Sequence, residues 1–326
     1  MRIAIAGAGA VGGYMGALMA RAGLDVTLLA RGAHHAVISA HGVRVITGGT
    51  EIEARPRVND DPAAIGPVDV LFLAVKAHGL PALAPTLAPM LGPETTVVSL
   101  QNGIPWWYFP DTRLERVDPG GVISAAIERR RVVGGIVYFA TQLVEPGVVR
   151  HIEGSRVTLG EPEGGRSERC RAIAQALVAA GLRCPVTAHL RTEIWVKLMG
   201  NLSMNPISAL TGATMAAILR NPDTRRLVED MMDEAAALAK TLGIDLPISK
   251  EQRIAGAEKV GEHKTSMLQD LEAHRPLELE AIVGATLEIA ERYGLPMPRT
   301  QAIYAATKLR ATRNSPAPGS RPLAPL

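Results

Sequence analysis

The first residues whose types and spacing indicate chemistry are three glycines near the start of the chain. They lie in Gly7-Ala8-Gly9-Ala10-Val11-Gly12, which matches the pattern G-x-G-x-x-G. The run follows a predicted strand and opens a predicted helix, which is the context that a dinucleotide-binding loop requires. The first glycine permits a tight turn, the second admits a pyrophosphate, and the third lets the helix pack on the strand. We therefore predict that Gly7, Gly9, Ala10, Val11 and Gly12 bind a dinucleotide at the helix N-terminus.

The end of the second predicted strand indicates which dinucleotide is bound. An NAD-binding chain usually has Asp or Glu there for the ribose hydroxyls, whereas this chain has Leu28-Leu29-Ala30-Arg31. The Arg31 guanidinium can bind a 2′-phosphate and stack on adenine, so NADP(H) is the predicted cofactor. A surface arginine exposed only to solvent is the alternative.

Two further fragments follow predicted strands of the same domain. Lys76 ends the third strand and Asn102 follows the fourth, in Gln101-Asn102-Gly103. Ligands of open α/β sheets bind at carboxyl strand ends. Lys76 could therefore contact cofactor phosphate or ribose, and Asn102 the nicotinamide ribose or the substrate. A surface lysine and a simple Asn-Gly turn are the alternatives.

Three polar side chains recur along one later helix. Lys197, Asn201 and Asn205 are spaced i, i+4, i+8, so they line one helix face over about 12 Å. Their neighbours are tryptophan, valine, leucine and methionine. A charged group among such neighbours either reaches past them to solvent or belongs to a site.

The elements that position these residues indicate an α/β fold, a Rossmann-like doubly wound sheet followed by an all-α C-terminal domain. Strands are predicted at 2–6, 25–29, 68–75 and 95–100, with helices between them, one at 79–91 despite its prolines. Residues 120–159 suggest extra antiparallel strands, followed by a helix at 166–180 and a short strand at 183–186. Helices are predicted at 189–210, 224–242, 250–260, 277–293 and 299–310. The predicted domains are 1–187 and 188–313, with residues 314–326 a disordered tail.

Composition excludes several classes of protein. The net charge is only +3, and no basic run reaches five residues, so a nucleic-acid partner is not expected. The densest run, Arg129–Arg131, is interpreted as a strand end or turn. No signal peptide and no span of 18 apolar residues occurs, so we expect a cytoplasmic protein without a membrane partner. Cys170 and Cys184 lack metal-ligand spacing, so no metal is expected.

The chain resembles the ketopantoate reductase (2-dehydropantoate 2-reductase) family from residue 1 to about residue 310. The resemblance rests on motifs in this order: the glycine loop, the Val75-Lys76 fragment, Gln101-Asn102-Gly103, the helix W-x-K-L-x-x-N-x-x-x-N, Lys264-Thr265-Ser266-Met267-Leu268-Gln269-Asp270, and Leu277-Glu278-Leu279-Glu280. The ordered set is much more specific than any one of its members.

The resemblance implies an oxidoreductase of pantothenate biosynthesis that reduces a 2-oxo acid, with Lys197 as general acid and Glu278 completing the catalytic pair. It also implies that Asn102, Asn201, Asn205 and Ser266 hold cofactor or substrate. The chemistry agrees, because hydride addition leaves negative charge on the carbonyl oxygen, which a lysine can stabilise and protonate. Ser266-x-x-Gln269 also matches a capping box, so Ser266 could instead start a helix. A homodimer is a further expectation by analogy.

Two departures from the family pattern leave the substrate open. Val283 stands where the family has asparagine, and Trp106–Phe109 places four aromatic residues after the Gln-Asn-Gly turn. These aromatics could form a plug at a domain interface or a wall of the substrate site. Ketopantoate is the predicted substrate. The alternatives are a paralogue that prefers a bulkier, more apolar 2-oxo acid, and a catalytically silent NADPH-binding regulator.

Overall fold

The computed structural model describes residues 1–314, and the chain divides into two compact units, Met1–Glu193 and the part from Ile194 onward. The division falls inside a long helix, a few residues beyond the sequence-based boundary. The tail predicted from residue 314 lies, apart from Asn314, outside the described residues. Within the described part, no helix is both long and apolar enough to cross a membrane.

One sheet organises the first unit. Its strands are β1 Ile3–Ala6, β2 Val26–Leu29, β3 Val43–Thr47, β4 Thr50–Ala54, β5 Arg57–Asn59, β6 Val68–Leu73, β7 Leu91–Ser99, β8 Val132–Glu145, β9 Val148–Gly160 and β10 Val186–Thr187. Their order is β4-β3-β9-β8-β7-β6-β1-β2-β5, and β10 pairs with β9. The neighbours β5, β2, β1, β6, β7 and β8 are all parallel, which is the 3-2-1-4-5-6 order of the Rossmann fold. The predicted fold class is confirmed.

Helices surround the sheet and make up the second unit. In chain order they are α1 Ala10–Arg21, α2 Gly32–His41, α3 Pro62–Ile65, α4 Leu80–Leu83, α5 Val122–Ala126, α6 Glu168–Ala179, α7 Leu190–Thr211, α8 Met215–Arg220, α9 Pro222–Thr241, α10 Lys250–Val260, α11 Ser266–Glu272, α12 Ala285–Arg292 and α13 Pro298–Asn314. A π-helix, Glu280–Gly284, precedes α12. Short 3₁₀ turns occupy Ala77–Gly79, Ala84–Met90, Pro119–Gly121 and Arg129–Arg131.

The β1–α1 unit forms where the sequence predicts it. All four residues of β1 are buried, as expected for an apolar run in a parallel sheet covered on both faces. Glycines let α1 approach the sheet closely, because a Cβ at Gly16 would lie 2.6 Å from Cδ2 of Leu28. This close packing places the start of α1 directly after the carboxyl end of β1.

Two sequence-based elements differ in the structure. The helix predicted at 79–91 is a 3₁₀ turn, the short α4 and a second 3₁₀ turn, because Pro81, Pro85 and Pro89 lack the amide hydrogen that a continuous helix needs. The antiparallel strands predicted from residue 120 are β8 and β9, but they begin only at Val132. Residues before Val132 form turns and α5, and Arg129–Arg131 is a turn that leads into β8.

The second unit buries its own apolar core. Residues of α7, α8, α9 and α10 form it, namely Met199, Met204, Ile207, Ile218, Leu219, Val228, Met231, Met232, Ile254 and Ala257. A capping box starts α10, since Ser249 and Gln252 exchange hydrogen bonds between side chain and backbone. Gly256 lies in the middle of α10, exposed to solvent. Because residues of α7 belong to this core, packing against α8, α9 and α10 fixes the orientation of α7, which carries Lys197.

Candidate active site

A cavity of about 310 Å³ opens in the first unit at the carboxyl ends of β1, β2 and β5. Its lining residues are Gly7, Ala8, Gly9, Leu29, Ala30, Arg31, His34, Asp60, Pro62, Val75, Gly79, Leu83 and Thr86. The structure therefore brings two of the predicted glycines together with Arg31. The predicted residues Ala10, Val11, Gly12, Lys76 and Asn102 are absent from this lining within the described part of the chain.

Each of the three positions in the loop is occupied by glycine for a different physical reason. Gly7 has φ +107, and a Cβ there would lie 2.8 Å from Cγ1 of Val75. A Cβ at Gly12 would lie 1.9 Å from the carbonyl oxygen of Gly7, so this glycine lets α1 pack against the loop. The protein itself therefore requires glycine at both positions.

Gly9 is different, because the protein gives no steric reason for a glycine there. Its φ of −75 is open to any residue, and a Cβ would meet no atom within 4 Å. Gly9 precedes α1 as its N-cap and makes no side-chain cap, so the first amides of α1 have no capping side chain there. The space beside Gly9 and these amides fit a pyrophosphate, so the loop fits a dinucleotide.

Three ionisable side chains also line this cavity. Arg31 follows β2 as the N-cap of α2, His34 lies on the first turn of α2, and Asp60 follows β5. In residues 1–314 no protein group pairs with the Arg31 guanidinium, which is exposed. Burial lowers the pKa of His34, and its Nδ1 has no hydrogen-bond partner within the described chain. Arg31 is thus available to an anionic ligand.

Gln101 joins the ends of two central strands. Its Nε2 donates to the carbonyl oxygens of Leu73 and Val75, both at 2.9 Å, and its Oε1 accepts from Ser99 at 2.8 Å. Gly103 adopts φ +84, which the predicted Asn-Gly turn requires. Asn102 and Lys76 are half-buried at these two strand ends, so both lie at the edge where ligands of such sheets bind.

In the second unit, α7 presents Lys197, Asn201 and Asn205 on one face, as their spacing predicts. Trp195 and Leu198 are buried on other faces of this helix and anchor it in the core. Lys197 and Asn201 are half-buried, whereas Asn205 is only 5% exposed. Asn205 is therefore the most buried of the three polar residues on this face.

The Lys197 ammonium lies in an unusual electrostatic environment. Its pKa is lowered to about 8, because burial disfavours the charged form; Glu278 raises the pKa against this effect, and Arg253 lowers it. A lysine with a pKa of about 8 is charged at neutral pH and can still release a proton, as a general acid must. The predicted pair of Lys197 and Glu278 therefore lies within electrostatic range in the structure.

Glu278 and Glu280 have different surroundings. Glu278 is 8% exposed and lies just before the π-helix, where its carbonyl oxygen accepts from the amide of Ile282 at 3.1 Å. Glu280 accepts from the Tyr304 hydroxyl at 2.8 Å and pairs with Lys308 at 3.2 Å. Since π-helical turns often occur at functional sites, this turn agrees with a role for Glu278.

The capping interpretation of Ser266 is wrong. Thr265 is the N-cap of α11, and its side chain accepts from the amide of Leu268 at 3.2 Å. Gln269 donates instead to the carbonyl oxygen of Lys264. Ser266 is exposed on the first turn of α11, and in residues 1–314 its hydroxyl has no side-chain hydrogen bond. The hydroxyl is therefore available to a ligand.

Comparison with known proteins identifies the family. The family model "Ketopantoate reductase PanE/ApbA" matches residues 3–164, and its C-terminal counterpart matches residues 189–311. The chain belongs to the ketopantoate reductase family. It is 49% identical over 316 residues to a 2-dehydropantoate 2-reductase of Mesorhizobium japonicum, covering 94% of this chain and 97% of that protein. The chain is thus a pyridine-nucleotide oxidoreductase of this family.

Solved structures agree with this assignment. A candidate ketopantoate reductase from Ralstonia solanacearum MolK2 is 41% identical, with a TM-score of 0.92 and coverage of 96% of this chain and 98% of that chain. A 2-dehydropantoate 2-reductase from Geobacter metallireducens is 29% identical, with a TM-score of 0.85 and coverage of 95% and 99%. Both similarities extend over nearly the whole chain.

The two departures from the ketopantoate reductase pattern are buried rather than exposed in a cavity. Val283 is 0% exposed, and Trp106, Trp107 and Tyr108 are each at most 5% exposed. Trp107 packs on Gly134 of β8, where a Cβ would lie 2.8 Å from its Cη2. These aromatics are core residues of the first unit, so neither departure supports a bulkier substrate.

Sequence reasoning missed three residues near these sites. His34 and Asp60 line the nucleotide cavity, but β5 was not predicted, so Asp60 could not be placed. Arg253 acts on Lys197 from α10. The sequence feature that could have indicated this contact is Gly200, since a glycine inside a helix often marks the close approach of another group.

Proposed function

We propose that the protein catalyses the NADPH-dependent reduction of 2-dehydropantoate to pantoate. The observation that carries the proposal is the half-buried Lys197 in the electrostatic field of the buried Glu278, in a chain 49% identical to a 2-dehydropantoate 2-reductase. When bound, NADPH supplies the hydride. NADPH rather than NADH is proposed because Arg31 replaces the usual carboxylate and has no protein partner within the described residues.

The protein's own residues supply the proton and the orientation. Lys197 would stabilise the negative charge that develops on the keto oxygen during reduction and would donate its Nζ proton to that oxygen. Glu278 keeps the lysine charged before the transfer, since its carboxylate raises the lysine pKa against the effect of burial. Asn201, Asn205 and Ser266 offer hydrogen bonds for the remaining oxygens of the substrate, and Asn102 and Lys76 are proposed to contact the cofactor.

The test is the loss of NADPH absorbance with a panel of 2-oxo acids that includes 2-dehydropantoate, pyruvate and an aryl 2-oxo acid. We expect 2-dehydropantoate to have the highest kcat/KM. If only another 2-oxo acid is reduced, that acid replaces 2-dehydropantoate as the proposed substrate. If NADPH binds tightly but no acid is reduced, the interpretation as a catalytically silent NADPH-binding regulator is favoured.

The Arg31→Ala variant should lose preference for NADPH. Removing a charged hydrogen-bond donor costs about 1.5–3 kcal/mol, so the dissociation constant of NADPH should rise about 10- to 100-fold, with little change for NADH. Fluorescence titration with each cofactor measures both constants. Arg21→Ala, which removes an exposed arginine of α1, is the matched control. Equal weakening of both cofactors would place Arg31 outside the 2′-phosphate site.

The Glu278→Gln variant should shift the pH dependence of turnover. Because Glu278 raises the pKa of Lys197, its loss should lower that pKa, and activity should fall at lower pH than in the wild type. We expect a drop in kcat of about tenfold or more at neutral pH, equivalent to at least ~1.4 kcal/mol. Glu280→Gln, which changes a carboxylate bonded to Tyr304, should leave the profile in place. An unshifted profile in Glu278→Gln would separate Glu278 from Lys197.

A further inference from the structure

A 2-oxo acid brings a carboxylate that the assigned residues leave without a cation. Asn201, Asn205 and Ser266 are neutral, and the charges of Lys197 and Glu278 cancel. A carboxylate taken out of water needs a compensating charge or several hydrogen bonds. The second unit should therefore hold another cation close to Lys197, and this expectation rests on the proposed function.

Arg253 supplies a cation at this place. It lies on α10, and its guanidinium packs on α7 at Gly200, where a Cβ would lie 2.3 Å from Nη2, 2.7 Å from Nε and 2.8 Å from Cζ. Gly200 is three residues after Lys197 and directly before Asn201, so all three positions share a stretch of one helix. Any side chain at Gly200 would displace the guanidinium.

The electrostatics agree with this placement. Of the charged groups in the described chain, Glu278 and Arg253 act on the Lys197 ammonium, in opposite directions. An arginine beside a lysine costs free energy through repulsion, so a purely structural role would be served better by a neutral residue. An anion bound between the two cations would remove this repulsion.

We propose that Arg253 binds the carboxylate of the 2-oxo acid, which directs the keto oxygen of the substrate to Lys197. The planar guanidinium matches a carboxylate through two parallel hydrogen bonds. With substrate bound, the charges of Lys197, Arg253, Glu278 and the carboxylate sum to zero. The bound carboxylate also offsets the effect of Arg253 on Lys197, so substrate binding itself raises the pKa of the lysine and keeps it protonated.

The first experiment removes the charge. Arg253→Met should raise KM for 2-dehydropantoate about 10- to 100-fold, and the dissociation constant of pantoate measured by calorimetry should rise by a similar factor. The dissociation constant of NADPH should stay within about twofold. Arg253→Lys should be intermediate, because an ammonium cannot make the bidentate contact. Lys259→Ala removes an exposed cation from the same helix and should change none of these constants.

The second experiment moves the guanidinium without removing it. Gly200→Ala should raise KM for the acid because the new methyl group displaces the guanidinium. In the Arg253→Met background the same substitution should have little further effect, since the group it displaces is gone. The neutral amide of the 2-oxo acid should be affected little by Arg253→Met, because it has no carboxylate to bind.

Three results would overturn the inference. They are a KM for the acid within about twofold of wild type in Arg253→Met, an equal loss for acid and amide, and additive effects of Gly200→Ala and Arg253→Met. Wild-type turnover is measured first, so a chain inactive on every 2-oxo acid would refute the proposed function. An active wild type with an unaffected Arg253→Met variant would refute only the role of Arg253.

Discussion

The Lys197→Met variant is expected to lose at least about 10²-fold in kcat, which is the usual scale for removing a general acid. Methionine fills a similar volume without a proton to give, so the packing of α7 should be kept. NADPH should bind with unchanged affinity, because the nucleotide cavity is lined by residues of the first unit. Stopped-flow turnover and fluorescence titration measure the two quantities separately.

The pH profile of the wild type gives an independent reading of the same lysine. Since Lys197 must be protonated to act as an acid and its pKa in the free enzyme is about 8, kcat/KM should be flat below about pH 8 and fall above it. Lys240→Met, which changes an exposed lysine of α9, is the matched control and should keep both rate and profile. A Lys197→Met variant within a few-fold of wild type would make Lys197 a structural residue.

The Gly9→Ser variant should separate cofactor binding from folding. Serine is a preferred N-cap residue and fits the extended conformation of Gly9, so the apo protein should melt at the wild-type temperature or slightly above. The new side chain would occupy the space proposed for the pyrophosphate and bond the amides that bind it. We expect the NADPH dissociation constant to rise about 100-fold, equivalent to ~2.8 kcal/mol.

Gly12→Ala provides the contrast. Its Cβ would collide with the Gly7 carbonyl oxygen, so this variant should lose thermal stability as well as cofactor affinity. Scanning calorimetry of both apo variants measures the difference. If apo Gly9→Ser melts well below the wild type, folding itself requires glycine at position 9, and the open space there is not evidence for a bound ligand.

Much of the first unit could be predicted because its signals are local. The buried β1, the glycine loop and α1 follow one another within the first 21 residues, and each has its own composition. The β3–β4 hairpin was missed although Gly48 and Gly49 mark its turn, because its strands are half-exposed and lack a long apolar run. The three-residue β5 is too short for any periodicity.

The second unit was predictable along α7 but not across helices. The i, i+4, i+8 spacing alone places Lys197, Asn201 and Asn205 on one face. Nothing in the spacing of α10 indicates that Arg253 reaches Gly200, because that contact depends on how two helices pack. Likewise, the choice between Thr265 and Ser266 as helix cap depends on backbone angles at adjacent hydroxyl residues, which composition does not distinguish.

The glycine in the middle of α10 bears on how firmly Arg253 is held. A Cβ at Gly256 would meet no atom within 4 Å, so packing does not require glycine there. Glycine inside a helix is about 1 kcal/mol less favourable than alanine, which raises the population of locally unfolded α10 by about fivefold. The backbone amides of α10 should accordingly exchange with deuterated solvent faster than those of α9, whose interior lacks glycine. We therefore expect the helix that bears the proposed carboxylate-binding arginine to open locally more often than α9.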